Sequence, residues 1–306
     1  MVFCLSRSRL VLLAVASLAL ADVGHVKPLK AARYWIAPDG NDRHDGTTRQ
    51  TAWASPSRGQ PTRLGEATER GSRRLPVMST AGFLPSGRLK IGPHIVTYTG
   101  KTESTFALAV PLPVRLEAYT HVFDADLLGG RSFAPGDEIL LAGDEWGDRP
   151  LHFCQSGTAE QPVIYRPAPG HHPQLVSTRF DRSPIRHLGN RRAPPTGHVT
   201  IHGLSVRNTA DGNHGAAGID LIGVRHITIA GCDVHVSGKD INGDNNAVRL
   251  LQCDEVTIRN CRLHSRFANA VAAWNTTSTS VHHCVIYECF QGIAAAGPPY
   301  VSHLDI

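Results

Sequence analysis

Four segments in the C-terminal half align with one another without gaps, and they constrain the fold more than anything else in the chain. They are Val199-Thr200-Ile201-His202-Gly203-Leu204-Ser205-Val206, Ile227-Thr228-Ile229-Ala230-Gly231-Cys232-Asp233-Val234, Val256-Thr257-Ile258-Arg259-Asn260-Cys261-Arg262-Leu263 and Thr279-Ser280-Val281-His282-His283-Cys284-Val285-Ile286. Each alternates apolar and polar residues, breaks for two residues, then alternates again. Ile201, Ile229, Ile258 and Val281 correspond. A second strand follows in each unit: Gly218-Ile219-Asp220-Leu221, Ala247-Val248-Arg249-Leu250, Ala270-Val271-Ala272-Ala273 and Gly292-Ile293-Ala294-Ala295. A repeat of this length built from short strands is the signature of a solenoid, because one unit cannot bury its inner face without a neighbour. The Leu-x-x-Leu-x-Leu pattern of leucine-rich repeats is absent. Abundant glycine and few aromatic residues also suit many short strands with tight turns. The expected fold is all-β: a right-handed parallel β-helix with a small β-hairpin insertion near the N-terminus.

Stacking also accounts for the cysteines. Leu204, Cys232, Cys261 and Cys284 fall in one inward column, where a thiol packs as a small hydrophobe. In-register parallel neighbours sit about 4.8 Å apart and orient their Cβ atoms poorly for a disulfide, so free stacked thiols are expected. Cys253 with Cys289, or either with Cys154, remains open to bonding.

The N-terminus reads as a leader. Arg7 and Arg9 precede an apolar run from Leu10 to Leu20, and Ala19-Leu20-Ala21 offers small residues for cleavage. The run falls short of the roughly 20 apolar residues of a membrane span, and no later segment reaches that length. The expected organisation is a signal peptide over 1–21, the start of the β-helix over 22–54, a loop and small β insertion over 55–130, and the parallel β-helix over 131–306. The expected location is secreted, periplasmic or at the cell surface. Residues 55–75, with Pro56, Pro61 and five arginines, read as a loop or poorly ordered insertion. Residues 82–110 read as two or three short strands with glycine turns. The last unit begins another strand after Pro299 and stops at Ile306 with no polar cap, so the solenoid is expected to be incomplete at its C-terminal end.

Several motifs carry a family resemblance. Tyr34-Trp35-Ile36-Ala37-Pro38-Asp39-Gly40-Asn41-Asp42, with Trp53 further on, resembles the opening of exported right-handed β-helix proteins. Pro135-Gly136-Asp137 before a strand, Ser156-Gly157-Thr158 before another, and Pro173-Gln174-Leu175-Val176 resemble the first coils of pectate-lyase-like proteins. The likeness is closest to the family-nine polysaccharide lyases and their uncharacterised relatives, and it covers most of the chain outside residues 55–130.

Outward side chains on such a solenoid form columns along its axis. Ser205, Asp233, Arg262 and Val285 make one; Arg207, His235, His264 and Tyr287 make the next. This patch has the residue types for binding an anionic sugar and moving a proton, and it reads equally as a solvated polar face. His235 and Arg262 are candidate catalytic groups, with Asp233, His264, Arg207 and Arg249 as substrate-binding candidates. The turn-rich segment after Val236 holds Lys239, Asp240 and Asp244. Together with Asp211 and Asp220, these aspartates are candidate calcium ligands, since carboxylate oxygens suit that ion; simple turn chemistry is the competing reading. The resemblance implies calcium and a lysine base that removes the proton beside a uronate carboxylate, and Lys239 is the lysine placed for it.

The formal charge is +5, of which Arg7 and Arg9 supply two. A mildly basic exported chain suits acidic polysaccharides as partners. No lysine–arginine run with interleaved aromatics points to nucleic acid. Two functions follow: an enzyme on an acidic polysaccharide, a lyase ahead of a glycoside hydrolase because outward carboxylates are sparse, or a non-catalytic glycan-binding or adhesin-like solenoid. Oligomeric state is not legible.

Overall fold

The structure, a computed structural model, describes residues 31–179, 182–189, 195–211, 217–239 and 245–296. Residues 1–30, where the signal peptide is expected, and residues 297–306 lie outside them. Strands are the only regular elements among the described residues. Three parallel sheets run along the solenoid, and from Val163 onward each coil contributes one strand to each. The first sheet stacks Arg33–Ile36, Glu138–Leu141, Val163–Pro167, Thr196–His202, Val224–Ala230, Asp254–Arg259 and Ser280–His282. The second stacks Gln174–Ser177, Ser205–Asn208, Asp233–Val236, Arg262–Ser265 and Val285–Tyr287. The third stacks Leu151–Phe153, Ile185–His187, Ile219–Ile222, Val248–Leu251, Asn269–Trp274 and Gln291–Ala296.

The registers follow the sequence repeat. Ile201 pairs with Ile229, Ile229 with Ile258, and Ile258 with Val281. Ile219, Val248, Val271 and Ile293 align on the third sheet. The inward members of these columns, from Ile201 to Val271, are almost fully buried. Each coil thus supplies half a core and its neighbour the other half. The corner between the first and second sheets recurs at Gly203, Gly231, Asn260 and His283, with φ of 67°, 62°, 55° and 54°. That left-handed conformation suits glycine and is reached by asparagine at modest cost. Next to it stand Leu204, Cys232 and Cys261, buried, and Cys284, half-buried in the last described coil. All six described cysteines are free, including Cys154, Cys253 and Cys289, so none of the pairings left open forms.

The N-terminal end of the solenoid is closed by aromatic rings. Tyr34 stacks on Trp53 at 5.4 Å between centroids, and Phe133 packs against both. Trp53 is wholly buried, and Gly46 lies so close beneath it that a Cβ would fall 2.4 Å from the indole. The Asp-Gly-Asn-Asp turn ties this cap together, because Asp42 accepts from the amides of Ala54 and Ser55 at 2.8 Å each.

Between cap and solenoid sits a six-stranded antiparallel sheet built from Thr62–Arg63, Arg74–Pro76, Gly87–Ile91, His94–Lys101, Thr105–Leu108 and His121–Asp124. Its own core comprises Leu64, Leu75, Leu89, Tyr98, Phe106 and Val122 among others. The structure corrects the reading of residues 55–75 as a loop. Ser57 to Leu64 are all buried, and two of the five arginines are taken out of water: Arg58 is 4 % and Arg63 1 % exposed, while Arg70, Arg73 and Arg74 are exposed. Arg58 donates to Asp124 at 2.6 Å, to the Gly82 carbonyl and to the Asp42 carbonyl, joining cap to insertion. Arg63 donates to His121 and to Thr196 of the solenoid. Inside the solenoid the Tyr165 hydroxyl meets the side-chain amides of Gln60 and Gln155. An arginine-rich, proline-broken segment reads as surface until its partners are known; here Arg58 and Arg63 are desolvated against specific acceptors.

Candidate glycan-binding cleft

The insertion and the third sheet enclose a cleft of about 560 Å³. One wall is Met78–Ala81 with Lys101–Ser104; the other is Pro150, His152, Arg182 and Arg186. The sheet wall is an outward column in register: His152 beside Arg186, Arg186 beside Asp220, Asp220 beside Arg249. Apolar neighbours of that column, such as Leu151, Ile185, Ile219 and Val248, point inward and hold the strands.

Charge converges on this space. The Lys101 ammonium donates to the Thr80 carbonyl at 2.8 Å, and burial pulls its pKa below the usual lysine range. Glu103 accepts from Arg179 and Arg182 at 2.8 Å each, and the Arg179 hydrogen bond is the main reason its carboxyl is held below the ordinary value. Asp220, 1 % exposed, accepts from Arg249 through both oxygens at 2.9 and 2.8 Å, with Arg186 Nε 3.6 Å away. His152 is 9 % exposed. Its Nδ1 lies 2.9 Å from Ser79 Oγ, while its Nε2 is buried with no hydrogen-bond partner. Burial first, and then Arg186 and Arg182, push its pKa down to about 3, so the ring is neutral at physiological pH. A buried polar atom without a partner costs free energy, and the ring that carries it lines the cleft.

The columns expected on the second sheet form as aligned. Arg207 pairs with His235, His235 with His264, and His264 with Tyr287; Asp233 lies beside Arg262. The groups there engage one another in part, while Arg207 Nη1, Asp233 Oδ1 and His264 Nδ1 are buried without a hydrogen-bond partner. Arg207 donates to Asp233 at 2.7 Å. His235 and His264 stack at 3.9 Å, and burial followed by the His264 and Arg207 charges holds His235 below its ordinary pKa. Arg262 lies over the Tyr287 ring at 5.7 Å. The structure corrects His264 as an outward, ligand-facing group: it is 2 % exposed and its Nε2 meets Glu288 at 3.2 Å. Its burial follows from the ladder itself, since flanking rings cover both of its faces.

The calcium candidates do not assemble among the described residues. Asp220 is engaged by arginine through both oxygens, which corrects its reading as a metal ligand. Asp211 accepts from the Lys239 amide at 2.6 Å, and the Lys239 side chain is exposed. Asp240 and Asp244 lie outside the described residues. Among the described residues no three histidine, cysteine, aspartate or glutamate side chains are grouped to hold a metal ion.

A further groove of about 470 Å³ runs along the first sheet, lined by Thr200, Thr228, Thr257, the stacked pair His198 and His226, and Glu255. His226 Nδ1 is already 2.6 Å from Glu255. Neither this groove nor the second-sheet ladder gathers cations around an open volume as the cleft does. Sequence alignment alone had reached Asp220 and Arg249. Carrying the same column two coils back leads to Arg186 and His152, whereas Ser79, Lys101 and Glu103 come from the non-repeating insertion.

The sequence model of the family described as "Right handed beta helix region" matches residues 194–302. The solenoid is a right-handed parallel β-helix. No protein of curated function matches the sequence. Among solved structures, the chain is similar to a glycosyl hydrolase, titled as putative, from Parabacteroides merdae, with 13 % identity over 55 % of this chain and 80 % of that one and a TM-score of 0.41. It is also similar to the GH136 lacto-N-biosidase of Eubacterium ramulus, at 10 % identity, 82 % of this chain, 43 % of that one and a TM-score of 0.42. A third is the tailspike protein gp49 of Pseudomonas phage LKA1, at 14 % identity, 83 % and 47 % coverage and a TM-score of 0.25. The chain thus spans less than half the length of the second and third of these proteins. Among the described residues no helix is long and apolar enough to cross a membrane.

Proposed function

We propose that this chain is an exported protein that binds an acidic polysaccharide, with the glycan's anionic groups seated in the cleft between insertion and third sheet. The observation that carries this reading is the convergence of Lys101, Arg182 and Arg186 on an open volume whose wall also holds His152, with its buried, unpartnered Nε2. Fixed cations in a partly desolvated cleft bind anions more strongly than the same charges on an open face. The resemblance to family-nine lyases supports the same partner class.

Lys101 favours a second reading, β-elimination. A lysine whose pKa is pulled down by burial loses its proton more readily, as a base beside a uronate carboxylate must, and Arg186 stands on the opposite wall to hold that carboxylate. Calcium enters this reading only through the family resemblance.

The test is titration calorimetry of the full chain with a panel of polyuronates and sulfated glycans, run with and without chelator, while absorbance from unsaturated chain ends is followed. Binding that weakens at least about tenfold in Arg186→Ala and in Lys101→Ala is expected, the loss of roughly one charge-assisted hydrogen bond each. Unchanged affinity in both variants rejects the cleft. New absorbance that disappears in Lys101→Ala supports elimination, and its absence with every polymer leaves binding alone.

A further inference from the structure

The cleft is a nearly pure array of hydrogen-bond donors. Its one acidic side chain, Glu103, is spent on Arg179 and Arg182. Two backbone carbonyls along its wall are also spent: the Thr80 carbonyl accepts from Lys101 and the Thr102 carbonyl from the Thr80 hydroxyl. Ser79 Oγ accepts from the Ala81 amide at 3.1 Å and lies 2.9 Å from His152 Nδ1, an acceptor within reach of its own proton. A neutral ring that accepts at Nδ1 carries its proton at Nε2. With the hydroxyl donating there, the buried Nε2 is an N–H donor within a wall that also carries the ammonium of Lys101 and the guanidiniums of Arg182 and Arg186. These donors come from separate segments: the strand His94–Lys101 on one wall, and Leu151–Phe153, Ile185–His187 and Arg182 on the other.

We propose that the group this cleft takes is a sulfate ester carried on a glycan, in preference to a uronate carboxylate. The inference rests on the glycan-binding reading of the same cleft and sharpens it. A sulfate ester presents three terminal oxygens that only accept and that point in three directions, matching donors that approach from both walls. A carboxylate offers two oxygens in one plane, which suits a single arginine but leaves donors on the other segments unmet.

Dextran sulfate and carboxymethyl dextran, matched in length and degree of substitution, share a backbone and differ only in the anionic group. Calorimetry of the full chain with each, at equal ionic strength, reads the preference directly. Dextran sulfate is expected to bind at least about tenfold tighter, the cost of leaving one buried donor unmet. His152→Leu removes the Nε2 donor and is expected to bring the ratio close to one, while His152→Gln, which keeps an N–H donor, retains a preference. Equal or tighter binding of carboxymethyl dextran overturns the sulfate assignment and leaves the acidic-glycan reading standing. Binding of neither polymer overturns both. A ratio unchanged in a folded His152→Leu protein, checked by circular dichroism, removes His152 from the recognition; if that variant fails to fold, the ratio in the unaltered chain decides alone.

Discussion

The coils from Glu138 onward and the segment from Ala31 to Gly130 stabilise themselves in opposite ways. In the coils every contact is made several times over: Ile201, Ile229, Ile258 and Val281 repeat one contact, and Leu204, Cys232, Cys261 and Cys284 repeat another. In the N-terminal third each interaction is made once. Arg58 reaches Asp42, Gly82 and Asp124; Arg63 reaches His121 and Thr196; Ser57 bridges the Pro150 carbonyl and the His152 amide. Repetition spreads a load over many rungs, whereas a unique contact concentrates it. The cleft forms where the two regimes meet, which is why one wall is a regular column and the other is irregular.

The largest expected effect lies on the shared wall. Asp220 holds Arg249 and stands beside Arg186 from a buried position. Asp220→Ala leaves two guanidiniums facing each other without their counter-charge. Removing one partner of a buried ion pair costs roughly 3–5 kcal/mol, and since both arginines reach solvent, about 3 kcal/mol is expected here. Denaturant unfolding with a loss under about 1 kcal/mol would mean that the pair is only a surface contact. The same change should weaken glycan binding, because Arg186 loses the carboxylate beside it.

Acid should act on the unique contacts before it acts on the ladder. His152 and His187 are both buried, and burial is the first cause that pushes each pKa down to about 3. The unfolded chain binds protons at these rings below about pH 6.5, while the folded chain refuses them until about pH 3. Their contribution to stability is therefore intact above pH 6.5 and is lost as the pH falls from there towards 3. Each ring contributes up to about 1.4 kcal/mol per pH unit inside that window. Melting temperatures recorded from pH 7 to 4 should fall, and His187→Phe, which packs beside Phe153, should flatten the slope. A profile that is flat across this range would place both rings in contact with water.

The coils are also where the sequence was most legible. Alternation and a shared corner sufficed to register Ile229 against Ile258 and to put Cys232 and Cys261 inside. The cleft was not legible, for a physical reason. Ser79, Lys101 and Glu103 sit in a segment with no repeat to align, and hydrophilic residues there read as solvated until a fold desolvates them, as it does Arg58 and Arg63. The second-sheet column was legible in its membership and misleading in its exposure, because stacking itself buries His264. A single rung of the ladder should be forgiving by comparison: Ile229→Val removes one buried methylene and is expected to cost about 1 kcal/mol in denaturant unfolding. A cost near 3 kcal/mol would show that the coil cannot relax around one gap.

The smallest effect tests whether the ladder extends to the backbone. At the corner from third to first sheet, Gly223, Gln252 and Asn275 occupy successive rungs with φ of 64°, 53° and 51°. Their amides donate along the axis, Gly223 to the Leu251 carbonyl, Gln252 to Trp274 and Asn275 to Ala296, so the corner geometry is held by hydrogen bonds whatever the side chain. A side chain in this conformation costs roughly 1–2 kcal/mol relative to glycine. Glycine in turn costs roughly 0.5–1 kcal/mol through the greater freedom of the unfolded chain. The two oppose each other, and the difference leaves Gln252→Gly more stable by about 0.5 kcal/mol. The reverse exchange, Gly223→Gln, is expected to lose a similar amount, because the same corner one rung earlier must then carry the strain. Thermal unfolding of the two variants side by side reads both signs. A destabilised Gln252→Gly together with a neutral Gly223→Gln would mean that the rungs differ at this corner, and that the equivalence seen in the apolar columns does not extend to the backbone that turns between them.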